Sequence, residues 1–235
     1  MLSKSPAEKR RLGFFLRRPV LLAMIYQPKD VFYRRAKEEG YRSRAAYKLL
    51  ELNRRFRLIR PGDRVVDLGS APGGWLQVAS RLTGPAGRVL GVDTQPIEPF
   101  KEKNVLIIRG DVTSEECQEK IKRLLGSRAD CVLSDLSPRL SGIRDADVRR
   151  SADLVRSALQ AACRLLRPGG NFLVKTFVGE ELKALSLELE PHFRSLQRTR
   201  PESTRKGSSE IYLCAQGFHG ETSDPTPTEG KLKSP

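Results

Sequence analysis

From residue 64 onward the chain alternates short apolar runs with amphipathic stretches, and the runs share a length and a way of ending. "RVVDLG" (64–69), "RVLGVD" (88–93), "VLIIRG" (105–110), "DCVLSD" (130–135) and "NFLVKTF" (171–177) are each bounded by glycine, proline or an acid. Most are apolar at odd and even positions alike, so a strand built from them must be covered on both sides. Alternation with helical stretches then predicts an α/β fold, a mostly parallel sheet between helix layers. The clearest helix is 145–166, where Val148, Ala152, Val155, Leu159, Ala162 and Leu166 recur at steps of four and three until "RPGG" stops the run. A last strand, "EIYLCAQ" (210–216), follows the turn-rich "RKGSS".

With 235 residues the chain can bury one sizeable core, which predicts a single domain over 30–218, a basic extension over 1–29 and a polar, proline-rich disordered tail over 219–235. Residues 1–23 read either as an extension or as sequence ahead of a start at Met24. The formal charge is +15, and the first 60 residues hold 17 Lys/Arg against 5 Asp/Glu, so nearly all the excess sits in the N-terminal quarter. Charge concentrated beside an ordinary body fits a polyanion partner, most simply a nucleic acid, although a solvated arm would look the same. "RRPVLLAMIYQP" is too short an apolar run to span a bilayer. Cys117, Cys131, Cys163 and Cys214 are scattered and read as reduced core residues of a cytoplasmic protein; with His192 and His219 far from any cysteine cluster, no metal site is expected.

The glycine-rich "DLGSAPGGW" (67–75) follows a strand and opens a helix, where glycines admit a ligand close to the backbone and helix amides face it. Its spacing is not the G-x-G-x-x-G of dinucleotide enzymes. Asp67, Gly69, Pro72, Gly73, Gly74 and Trp75 are the candidate ligand contacts in this turn. Asp93 ends the next strand, placed to accept from two ribose hydroxyls, and Asp111 follows the third, within reach of an adenine amine. One acid at a strand end is commonly a cap, but three successive strands ending in aspartate point to an adenosine-bearing ligand along the carboxyl edge.

Lys175 sits inside "FLVKTF" with apolar neighbours on both sides; a lysine held there loses its proton or finds carboxylates. Asp135 ends the strand expected beside it, and Glu210 reaches the same edge if the last strand runs antiparallel. Lys48 lies in a helix read as capped by Ser43, with Ala45, Leu49, Leu52 and Phe56 as its apolar stripe and Lys48 itself at the border between core and surface.

Taken together, Lys48 in "YRSRAAYKLLELN", "VVDLGSAPGGW", Asp135 in "LSDLSP", the "SG" at 141–142 followed by an acid, Lys175 in "FLVKTF" and Glu210 in "RKGSSEIYL" resemble the FtsJ (RrmJ-type) ribose 2′-O-methyltransferases from about residue 30 to 217. The resemblance implies a Rossmann-like class I methyltransferase fold, with seven mostly parallel strands, one antiparallel strand and helices on both faces. It implies a catalytic Lys48–Asp135–Lys175–Glu210 tetrad, S-adenosylmethionine bound by the glycine-rich turn, Asp93, Asp111 and Asp135, and RNA as substrate. Without an added domain, the chain looks most like members that methylate a uridine of large-subunit ribosomal RNA within a ribosomal particle, acting as monomers. One departure is Arg139 in "SPRLSG", where the family usually carries asparagine. Amino-group methylation is disfavoured because "SDLSPR" stands where those enzymes have an Asn/Asp-Pro-Pro-aromatic turn, and cysteine-based ring methylation because that turn holds no cysteine. Two other classes stay open on fold alone, a non-catalytic RNA-binding assembly factor and a nicotinamide-dependent oxidoreductase; the intact tetrad speaks against the first and the glycine spacing against the second.

Overall fold

The computed structural model describes residues 31–220. Two helices, α1 (Val31–Glu38) and α2 (Ala46–Phe56), precede β1 (Arg64–Leu68), α3 (Gly74–Thr83), β2 (Arg88–Asp93), β3 (Val105–Arg109), α4 (Glu115–Leu125), β4 (Ala129–Ser134), α5 (Arg144–Leu165), β5 (Leu166–Phe177), α6 (Glu181–Leu189), β6 (Phe193–Thr199) and β7 (Glu210–Phe218). The strands form one seven-stranded sheet in the order β3-β2-β1-β4-β5-β7-β6. All neighbours from β3 to β5 pair in parallel, whereas β7 runs antiparallel to both β5 and β6.

Because successive strand residues face opposite sides, each strand feeds two cores. Val66, Leu68, Leu90, Val132, Phe172, Val174 and Leu213 pack with α4, α5 and α6. Val65, Val89, Cys131, Leu133, Leu173, Tyr212 and Cys214 pack with α2 and α3. That is why the strand runs are apolar throughout.

Every strand expected from sequence is present, and the predicted 145–166 helix spans Arg144–Leu165. In β5 the pairing passes from Ala129↔Leu166 to Cys131↔Asn171, so Arg167–Gly170 bulge out of register and the apolar run begins only after them. The Ser43 cap is corrected: Ala45 occupies the N-cap of α2, without a side-chain cap. Ser43 contributes its carbonyl, which accepts from the Ala46 N–H, while its hydroxyl lies against Gly74. The body continues into the stretch read as tail, since the His219 N–H donates to the His192 carbonyl at 3.0 Å. The expectations for 1–29 and for the rest of the tail, 221–235, lie outside the described residues. Among the described residues no helix is long and apolar enough to cross a membrane, and Cys117, Cys131 and Cys214 are free thiols.

Candidate active site

Strand parity assembles the catalytic end. Lys175 follows Leu173 by two residues, Asp135 follows Leu133 by two, and Glu210 precedes Tyr212 by two, so all three point to the face that α2 covers. Lys175 is the register partner of Tyr212, and Glu210 that of Phe177, because β7 enters the sheet in reverse. From above, α2 delivers Lys48, which is 8% exposed and thus belongs to the core, not to its border. Leu49, Leu52 and Phe56 anchor the helix tightly enough to carry the lysine stem inward.

The four charged groups form two ion pairs. Lys48 Nζ donates to Glu210 Oε2 at 2.7 Å. Lys175 Nζ donates to the Asp135 carbonyl at 2.8 Å and to Ser137 Oγ at 2.6 Å, and lies 3.1 Å from Asp135 Oδ1. Tyr212 ties the pairs together: its hydroxyl donates to Asp135 Oδ1 at 3.0 Å, and Lys48 Nζ stands 5.8 Å from its ring centroid. Burial works to raise the Glu210 carboxyl, but the Lys48 hydrogen bond and the charges of Lys48 and Lys175 together hold it below its usual range. Burial, backed by Asp135 and Glu210, pushes the Tyr212 phenol well up, so it stays a donor. The buried lysine has found one carboxylate, that of Asp135.

Beside this cluster lies a basic basin of about 460 Å³ lined by Arg44, Lys48, Arg205, Lys206, Ser208 and Glu210. Its far wall, the loop before β7, is lashed to α2 by Glu51, whose carboxylate accepts from the Glu202 N–H at 2.8 Å and the Ser203 N–H at 3.3 Å. The loop after β4 is held in a similar way. Asp147, buried in the first turn of α5, accepts from the Ser141 N–H and hydroxyl at 2.8 Å each and from the Gly142 N–H at 3.2 Å. These bonds keep its carboxyl below the usual range. Arg139 and Leu140 are thereby displayed to solvent beside the tetrad.

The cofactor end is built from β1 to β3. Gly69 (φ 77°) has no room for a side chain, since a Cβ would lie 2.6 Å from Leu136 Cδ2. Gly73 adopts φ 109°, where an L side chain is strained. Asp93 Oδ2 accepts from the Ala71 N–H at 2.9 Å and Oδ1 from the Gln95 N–H at 2.8 Å, bracing the turn while each oxygen keeps a lone pair. Asp111 Oδ1 accepts from the Thr113 N–H and hydroxyl. Both acids line a cavity of about 220 Å³ with Gly69, Leu136 and Ser157. Leu136 adjoins Asp135, so cavity and tetrad meet at that dipeptide.

Asp67 is fully buried, and neither of its oxygens has a hydrogen-bond partner among the described residues; the Ser70 hydroxyl is likewise unpartnered. Burial first, then the charges of Asp135 and Asp93, push its carboxyl well above the usual range. Trp75 is placed differently from a surface contact: it is 3% exposed, its Nε1 donates to the Ala45 carbonyl at 2.8 Å and its ring leans on Tyr212. Pro72 turns its carbonyl to Arg42 at 3.3 Å, and Gly74 begins α3 against Ser43. Asp93 and Asp111 thus line a hollow edged by Gly69 and Gly110, with Asp135 one residue from its wall at Leu136 and Asp67 buried in β1; carboxylate acceptors so placed suit a nucleoside with ribose hydroxyls and an exocyclic amine. Among the described residues no cluster of three or more His, Cys, Asp and Glu side chains could hold a metal ion.

Sequence reasoning passed over Tyr212, Ser137 and Asp147. Parity could have found Tyr212, two residues from Glu210; Ser137 and Asp147 act through loop geometry that periodicity does not carry.

Residues 41–218 match the FtsJ-like methyltransferase family. The ribosomal RNA large subunit methyltransferase E of Methanothermobacter thermautotrophicus is 51% identical over 193 residues, 82% of this chain and 92% of the relative. That of Archaeoglobus fulgidus is 49% identical over 189 residues, 80% of this chain and 96% of the relative. Among solved structures, a Plasmodium falciparum chain described as a ribosomal RNA methyltransferase is similar with a TM-score of 0.68 and 29% identity, over 77% of this chain and 100% of that one. At this identity and coverage the chain belongs to the FtsJ-like methyltransferase family, and it is an enzyme that takes its methyl group from S-adenosylmethionine.

Proposed function

We propose that the enzyme methylates the 2′-hydroxyl of a ribose in large-subunit ribosomal RNA, a uridine by the family resemblance, and does so as a cytoplasmic monomer. The observation that carries the reading is the joining of Lys48–Glu210 and Lys175–Asp135 through Tyr212, beside the basic basin that Lys48 and Glu210 also line. The names of the relatives support the RNA, and the basin supplies the charge to hold its phosphates.

S-adenosylmethionine supplies an activated methyl group on a sulfonium, so the protein has to align a weak nucleophile and receive its proton. Lys175 is held by the Asp135 carbonyl and carboxylate and by Ser137 Oγ. A ribose 2′-oxygen that replaces Ser137 Oγ at Nζ would be held and oriented by Lys175. With the cofactor bound and supplying its methyl group to that oxygen, the hydroxyl proton would pass to the Asp135 carboxylate, directly or through Nζ, which would release one proton as it takes another. Lys48 and Glu210 hold the other side of the ribose, and Tyr212 keeps Asp135 in place. Asp67, Gly69, Gly73, Asp93 and Asp111 would hold the cofactor, with Pro72, Gly74 and Trp75 shaping the turn from behind.

The test is methyl transfer from labelled S-adenosylmethionine to large ribosomal subunits and to naked RNA lacking the modification, with the product mapped by resistance to alkaline cleavage. One protected ribose is expected; label on a base would overturn the reading.

A further inference from the structure

Arg42 lies between α1 and α2, in the basic arm whose charge is read as facing RNA. We propose that it is a positioning residue of the cofactor site, holding the loop after β2 against the glycine-rich turn. Its Nη1 donates to the Glu98 carbonyl at 2.6 Å and to the Pro72 carbonyl at 3.3 Å, and its Nη2 donates to the Pro99 carbonyl at 2.7 Å. The guanidinium also lies over Phe100, 3.7 Å from the ring centroid. All three bonds end on carbonyl oxygens.

The same residue is pinned from behind. Its backbone N–H donates to Gln77 Oε1 at 2.7 Å, and Gln77 Nε2 donates to the Gly40 carbonyl at 2.9 Å, fastening the arm to α3. A Cβ on Gly73 would lie 2.8 Å from Phe100 Cζ and 3.1 Å from Arg42 Cδ, so Arg42 and Phe100 fill the space that this glycine leaves. One planar fork therefore sets the gap between Pro72 and Glu98–Pro99, segments on either side of Asp93. Since Asp93 also braces Ala71, displacing this loop would disturb both the turn and the acid expected on the ribose. Two residues further on, Arg44 lines the basic basin instead. The arm divides its arginines between cofactor and RNA.

The proposal rests on the cofactor reading of the turn, which wild-type binding of S-adenosylhomocysteine checks by itself. The experiment titrates S-adenosylhomocysteine calorimetrically into wild type, Arg42→Ala, Arg42→Lys and Phe100→Leu, and measures affinity for a large-subunit RNA fragment at fixed salt together with kcat and KM for the methyl donor. Expected for Arg42→Ala is cofactor binding weaker by about tenfold, with RNA affinity within about twofold and kcat at saturating donor within about threefold. Arg42→Lys should stay weakened, because an ammonium keeps the charge and loses the fork, and Phe100→Leu should shift the same constants by less. Phe100→Leu carries the test if Arg42→Ala does not fold. Weakened RNA binding with unchanged cofactor affinity, or full rescue by lysine, would overturn the proposal. Wild type that fails to bind the cofactor product would overturn the reading beneath it as well.

Discussion

At the ends of β4, β5 and β7 each charged group meets a partner, Lys48 with Glu210 and Lys175 with Asp135, whereas at the end of β1 the buried Asp67 has none among the described residues. Both regions sit on the same carboxyl edge, and Asp67 is at least as buried as Lys48 and Lys175, so burial alone does not separate them. The difference is in what completes each. The catalytic end is closed by the protein's own counter-charges and is preorganised before substrate arrives. At the cofactor end, Asp93 and Asp111 line a hollow with acceptor capacity to spare, and a fully buried carboxyl stands in the strand beside them.

The largest effect should come from opening the closed end. Lys175→Ala is expected to lower the single-turnover methyl-transfer rate by about a thousandfold while cofactor affinity moves by less than about threefold, as rapid-quench assay and calorimetry would read. A variant that keeps most of its rate would mean that the paired end is scaffolding. Glu210→Gln leaves Lys48 buried without its counter-charge and should cost about a hundredfold in rate, with a lower melting temperature. An unchanged rate would confine catalysis to the Lys175–Asp135 pair.

Acid should act on the two ends in opposite directions. The Glu210 carboxyl is held low in the folded state, so its contribution is present above the unfolded carboxylate range and is lost as pH falls through the folded value. The Asp67 carboxyl is raised, so the folded state keeps a proton that the unfolded chain releases above about pH 4, and stability declines as pH climbs from there toward the folded value. Asp67→Asn is therefore expected to stabilise the cofactor-free chain at pH 8 by about 1 kcal/mol or more, a gain that shrinks toward pH 4 in thermal melts. A gain independent of pH would mean that Asp67 does not titrate across that range. The smallest effect falls on the seam between the ends: Trp75→Phe removes the indole bond to Ala45 and should lower stability by about 1 kcal/mol with little change in kcat.

The parts of this design that were legible in the sequence are those that repeat. Strands buried on both faces advertise themselves as unbroken apolar runs, and Lys175 stood out because a charge inside such a run is unusual, whereas Lys48 in α2 was marked only by the family resemblance. β6, "FRSLQRT", escaped notice because it is an edge strand with only its two terminal residues buried, so neither a run nor an alternation marks it. The Ser43 cap failed because a turn over residues 43–45 feeds α2, leaving that hydroxyl to pack against Gly74. Lys48 was placed too near the surface because helical periodicity reports the angle of a side chain and not the depth of what covers it. The lashings by Glu51 and Asp147 are contacts of exposed-type residues with loop backbones, and nothing periodic announces them.

The reversed strand also has a consequence in time. Lys48 and Glu210 are 162 positions apart, and Glu210 reaches its partner only once β7 has inserted between β5 and β6. A chain emerging from the ribosome can pair β1 to β5 as they appear, yet the Lys48–Glu210 pair forms only when β7 joins the sheet. The Lys48–Glu210 contact is thus the most distant in sequence of the cluster, whereas the glycine-rich turn, Asp93 and Asp111 lie on strands that appear early.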